Sequence, residues 1–167
     1  MNEAVCLGCG LKMPKRPSSL YDGYFNTSPE CWAVFTEVLE AEYSNAFLFG
    51  RVHQLSVDTY AVQHAGGSHP DKSIDVHLCG LYLVLQKQMQ PTSVHPFLRE
   101  LVARVQQWPH FSPPHLKTAI TVFDVAMASN TEEHIQKVRE WADVVWRAWS
   151  EYHFEIETFV SNHLTLK

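Results

Sequence analysis

The sequence predicts an all-α, single-domain bundle of about five to six helices behind a loop-rich N-terminal arm. Three observations carry this. Apolar residues recur at helical spacing through residues 28–167, and no segment alternates convincingly as a strand. Residues 1–27 concentrate Gly8, Gly10, Pro14, Pro17, Ser18, Ser19, Gly23 and Asn26 and carry no long period, so they read as an arm on the bundle. The chain's 167 residues are enough for one hydrophobic core.

The elements follow in order. Ser28 is a good N-cap and Pro29 suits the first helical position, so "SPECWAVFTEVLEAEYSNAF" predicts a first helix over about 29–46. Trp32, Phe35, Val38 and Leu39 form its apolar side. A second helix over about 49–64 is apolar almost all round, the mark of a central position, and stops at Gly66-Gly67. After Pro70, Ile74, His77, Leu78, Leu81, Tyr82 and Leu85 form the stripe of a third helix. A fourth is expected from Pro96, followed by a proline-rich loop, "WPHFSPPHLK". Thr121 and Asp124 form a capping box for a short helix ending near Asn130. Asn130 and Glu133 then open the last and longest helix, expected to run unbroken to about residue 160. Short connections make the first three helices antiparallel neighbours.

Composition excludes some functions. A net charge of −5, with only Lys12, Lys15 and Arg16 clustered, argues against a nucleic-acid or anionic-membrane surface. No apolar run reaches the length of about 20 residues that spans a bilayer. The N-terminus shows no secretory pattern, so a reducing cytoplasm is the expected location. There a CxxC pair points to metal or redox work rather than a disulfide.

Cys6 and Cys9 form such a pair in "AVCLGCGL". Haem attachment needs His after the second cysteine, where this chain has Gly10. A thioredoxin-like pair belongs between a strand and a helix, and Leu11 to Pro17 supports neither. A metal knuckle remains, with Gly8 and Gly10 easing its turn. Cys31, three residues after the Ser28 cap, lies in the first turn of its helix, where the dipole favours a thiolate. Antiparallel packing puts the start of the first helix beside the end of the second, where His64 sits. Cys6, Cys9, Cys31 and His64 are therefore the expected ligands of a structural Zn2+ that staples the arm to the bundle. Cys79 is the competing fourth ligand. It shares a line with Lys72, Asp75 and Gln86, opposite the apolar stripe, and lies about 10 Å too far along its helix. The bland alternative is four unrelated reduced cysteines, with Cys31 and Cys79 merely packed.

A second set of polar residues falls inside the expected bundle. Glu42 is 11 residues after Cys31, and His53 is 11 before His64. Glu42 should therefore face His53, about 16 Å from the metal corner. The hairpin through "AGGSHP" brings His77 near Asp58 and Tyr60. Glu42, His53, Asp58 and His77 are candidate metal ligands or acid–base groups. Read structurally, they are two hydrogen-bonded buried pairs that specify packing, and no HExxH or ExxH motif argues otherwise. His153, among Trp146, Trp149 and Ile156, is expected to be a satisfied core histidine.

The combination "CLGCG…SPECW…HQLSVDTYAVQH…VHLCGLYLVL…VREWADVVWRAW" resembles a family of small bacterial proteins of unknown function. The resemblance covers most of the chain and implies no activity. Family members usually have proline after the last histidine of the VDxYAVQH segment, where this chain has Ala65. The expected function is a zinc-binding module serving binding or regulation, with a protein partner or a small-molecule ligand. The alternative is a metal-dependent enzyme built on the polar core, by fold-level analogy with DinB-type bundles, whose histidines come from different helices.

Overall fold

The computed structural model describes residues 2–16, 21 and 23–166. Pro17, Ser18 and Ser19 of the expected arm lie outside the described residues. The arm opens with a short antiparallel hairpin, β1 (Glu3–Val5) and β2 (Lys12–Pro14), in which Ala4 pairs with Met13. The sequence reading had no strand here. Three-residue strands are too short for alternation to register, and the turn between them is the CxxC segment itself.

Helix α1 (Pro29–Tyr43) starts as expected, with the Ser28 hydroxyl accepting from the Cys31 N–H at 3.1 Å. It ends earlier than expected because Asn45 caps α2 (Ala46–Gln63), its side chain accepting from Phe47 and Leu48. Helices α3 (Asp71–Leu85) and α4 (Pro91–Arg104) follow. Helix α4 begins five residues before the expected Pro96, because Pro91 already supplies the pre-set φ of a first helical residue. Pro96 then sits inside the helix on an exposed face, where the loss of one helical hydrogen bond is tolerated best.

The Thr121–Asp124 capping box is formed and opens α5 (Val122–Ala126). Asn130 caps α6 (Thr131–Ala148) by accepting from Glu133 N–H. The expected single last helix is broken. Helix α6 gives way to a 3-10 turn (Ser150–Tyr152) and then to α7 (His153–His163). The break buries Trp146 and Trp149 together, and the His153 ring stacks on Trp146 at 3.9 Å. Its Nε2 lies 2.9 Å from the Trp146 carbonyl, which also accepts from Trp149 N–H at the break. His153 is thus hydrogen-bonded but only half-buried.

Helix α2 is the centre of the bundle, packed against α1, α3, α4 and α6, and Val52, Leu55, Tyr60 and Val62 are wholly inaccessible. Among the described residues no helix is long and apolar enough to cross a membrane.

One face of α3 departs from expectation. Lys72 and Gln86 are exposed, but Asp75 and Cys79 on the same line are buried, because α2, α4 and α7 enclose the middle of α3. Neither Asp75 carboxylate oxygen has a hydrogen-bond partner. Burial, helped by the nearby Asp71 charge, pushes the carboxyl up to about 8. The folded chain therefore holds this proton more tightly than the unfolded chain does. The stabilising contribution is complete below about pH 3.9 and is lost as pH rises toward 8. Asp75→Asn, a neutral isostere, is expected to raise stability at pH 7 by roughly 2–4 kcal/mol and to leave it unchanged near pH 4. Urea unfolding at the two pH values checks this; equal effects at both would refute it.

Candidate metal centre

The start of α1 and the end of α2 meet under the hairpin. Helix α1 presents Cys31 from its first turn, and His64 is the first residue past α2. Asn26 ties the arm to this end of α2, its N–H donating to the His64 carbonyl at 3.0 Å and its side-chain amide to Ala65 at 3.4 Å. In the hairpin turn Cys6 N–H donates to Leu11 and Gly10 N–H to Cys6, so both knuckle thiols face inward.

One ligand atom from each of Cys6, Cys9, Cys31 and His64 lies within 4.8 Å of all the others, and every one of these side chains is buried. Cys9 Sγ is 3.8 Å from Cys31 Sγ, and Cys31 Sγ is 3.5 Å from His64 Nε2. A tetrahedral ion with S bonds of about 2.3 Å and an N bond of about 2.0–2.1 Å requires S···S near 3.8 Å and S···N near 3.6 Å. The Cys9–Cys31 and Cys31–His64 separations match such an ion, and the remaining donor pairs lie within 4.8 Å. The set does not fit a disulfide, which needs about 2.05 Å between sulfurs; all four cysteines are free.

Surrounding hydrogen bonds orient these donors. His64 Nδ1 lies 2.7 Å from the Tyr60 carbonyl, which can only accept. Nδ1 therefore carries the proton and Nε2 is left facing the thiols. The Tyr60 hydroxyl donates to Cys31 Sγ at 3.6 Å, and Thr27 Oγ1 lies 3.4 Å from Cys6 Sγ. Hydrogen bonds with Cys31 and Cys9 hold the Cys6 thiol far below its ordinary value, while hydrogen bonds to Cys31 and Cys6 push Cys9 up. Burial works to lower His64, but contact with Cys31 and Cys6 outweighs it and raises the imidazole to about 9. So many buried thiols cannot all ionise without a cation, and a metal ion would supply it.

Gly8 makes the close approach workable. A Cβ there would fall 2.6 Å from both the Asn26 carbonyl oxygen and His64 Cδ2. Gly8→Ala is therefore expected to wedge the knuckle off α2 and weaken metal retention at least tenfold against a chromogenic chelator. Wild-type retention in this variant would show that the hairpin can give way.

Cys79 does not join the group. It is buried in α3, where desolvation and the Asp75 and Asp58 charges push its thiol up.

The other expected polar residues form two pairs. Glu42, with no exposed surface, accepts from Ser56 at 2.6 Å and lies 2.8 Å from His53 Nδ1 and 3.0 Å from His134 Nε2. Asp58, equally buried, lies 2.7 Å from His77 Nδ1 and accepts from Gln54 at 2.9 Å. A Cβ on Gly80 would lie 2.2 Å from Asp58 Oδ2, so only glycine lets α3 pass that carboxylate. Tyr60, expected near His77, points instead to Cys31 and Thr27. Among the described residues the Cys3His set is the only group of metal-ligating atoms brought together. Sequence reasoning missed His134, though it extends the Val138–Trp141–Val145 stripe by one helical step.

Fold and site together define a helical-bundle protein with a buried Cys3His group able to hold a metal ion. The chain belongs to a family of unknown function, DUF5946, whose model matches residues 4–150. That stretch contains the Cys3His group and both carboxylate–histidine pairs, while α7 lies beyond it. No curated protein and no solved structure matches the chain.

Proposed function

We propose that the chain is a zinc-binding module in which Cys6, Cys9, Cys31 and His64 hold one structural Zn2+, and that the bundle so stapled serves binding or regulation. The observation that carries this is the spacing of the donors, 3.8 Å between sulfurs and 3.5 Å from sulfur to imidazole nitrogen. Mixed thiolate and imidazole donors suit zinc over harder cations. Four protein donors close the coordination shell and leave no open position for substrate, so the ion would contribute folding energy rather than catalysis. Elemental analysis of purified protein is expected to give about one zinc per chain. Cys9→Ser and His64→Ala should abolish it, and His53→Ala and Cys79→Ser should retain it. Metal-free wild type, both as purified and after refolding with Zn2+, would end the proposal.

A second reading is a metal-dependent enzyme working from the polar core. It is favoured by one feature: His53 and His77 each engage a buried carboxylate through Nδ1, leaving Nε2 for chemistry. A second metal, lost with His53→Ala and kept by Cys9→Ser, would support it.

A further inference from the structure

Two cavities share Gln54 and His95 in their walls, one of about 470 Å3 between α2, α3 and α4 and one of about 420 Å3 between α2 and α4. Each is the size of a small-molecule site. His53 lines one and His77 the other. The larger one is walled mainly by aliphatic side chains, among them Val76, Leu98 and Val102. Its polar groups are Gln54, His77, His95 and Arg99.

The charge of this cleft runs against that of the chain. Net charge is −5, yet neither cavity has an Asp or Glu in its wall, and Arg99 is the charged residue that lines it. The carboxylates nearest by bonding, Glu42 and Asp58, are wholly buried behind His53 and His77. What a ligand meets is therefore an imidazole Nε2 edge, a guanidinium and an aliphatic wall. Asp58 also fixes the orientation of the His77 ring, and Gln54, donating to the same carboxylate oxygen, couples that pair to both cavities.

We propose that this cleft binds a small organic anion, a carboxylate or phosphate monoester carried on an apolar body. The head pairs with Arg99 and with an N–H donor of His95, and the body lies along Leu98 and Val102. A guanidinium matches either head group through two parallel hydrogen bonds, and the apolar wall rewards a chain or ring behind it. The inference uses the cleft of the second reading but needs neither metal nor turnover, so binding without catalysis would leave it standing.

The test is calorimetric titration of the zinc-loaded full chain with octanoate and octyl phosphate, with octan-1-ol and octylammonium as controls. At least one anion should bind saturably, and at least tenfold more tightly than either control. The tighter anion identifies the head group. Arg99→Glu and Val102→Glu, both at exposed positions, should each weaken anion binding at least tenfold while zinc content and melting temperature stay at wild-type values. The proposal is overturned if neither anion binds, if octan-1-ol binds as well as the anions, or if Arg99→Glu leaves the anion affinity unchanged.

Discussion

Cys9→Ser is expected to remove the metal, lower stability by about 3–5 kcal/mol and drop the melting temperature by roughly 10 °C. Serine is close to cysteine in size, so the effect reports coordination rather than a cavity. Cys9 Sγ sits 3.8 Å from Cys31 Sγ on α1. Without metal, the remaining buried thiols share the corner with a single imidazole, too little positive charge for every sulfur to ionise. Residues 23–27 keep the Asn26 hydrogen bonds to the end of α2 and the packing of Phe25 on Trp32 and His69, but the hairpin has fewer ties. Its two strands have three residues each, too few to stand alone. The Arg16–Glu37 pair at 3.4 Å is exposed and adds little. The bundle keeps its own core, so helical circular dichroism should change only slightly. Trypsin, however, should cut the variant after Lys12 and Lys15 at concentrations that spare the wild type. Chelation of wild type should produce the same cleavage, and added Zn2+ should reverse it in wild type only. An arm equally resistant with and without Cys9 would mean that the hairpin packs on the bundle unaided.

What the sequence disclosed divides along physical lines. Capped helix starts at Ser28, Thr121 and Asn130 were legible because a cap is a local contract between one side chain and the next few N–H groups. The meeting of the Cys3His donors was legible for a different reason. Two antiparallel rods joined by a short connection have a forced register, so Cys31 and His64 must meet, and Glu42 must then meet His53 one bundle length away. The breaks were harder. Asn45 hides between two segments that both look helical, and the turn at Ser150–Tyr152 exists because Trp146 and Trp149 require burial together. Neither is visible in a periodicity count. Asp75 lies on the line of Lys72 and Gln86, opposite the apolar stripe, and only the enclosure of α3 by its neighbours puts it inside. His134 was missed because its partner is 92 residues away, and no local rule reaches that far.

That partner, Glu42, carries the other large effect. It lies in the last turn of α1, where the helix dipole disfavours a negative charge, and it has no contact with solvent. Burial is the largest influence on its carboxyl and pushes it up, yet hydrogen bonds from His134, His53 and Ser56 together bring it below its ordinary value. Glu42→Ala would strand those three donors around a cavity, and it is expected to cost about 3–5 kcal/mol in urea unfolding at pH 7. Glu42→Gln keeps the shape but turns a donor toward donors, and about 2–3 kcal/mol should be lost. The sign of the pH dependence follows from the lowered folded value. The carboxylate's contribution is complete above its unfolded value near 4.3 and is lost as pH falls below it. The stability gap between wild type and Glu42→Gln should therefore narrow between pH 5 and pH 3, a comparison in which any acid loss of metal affects both proteins alike. Zinc content at pH 7 should not change, since the pair sits about 16 Å from the metal corner. A loss below 1 kcal/mol for Glu42→Ala would mean that water replaces the carboxylate, and that the buried pairs specify the packing of this bundle without holding it together.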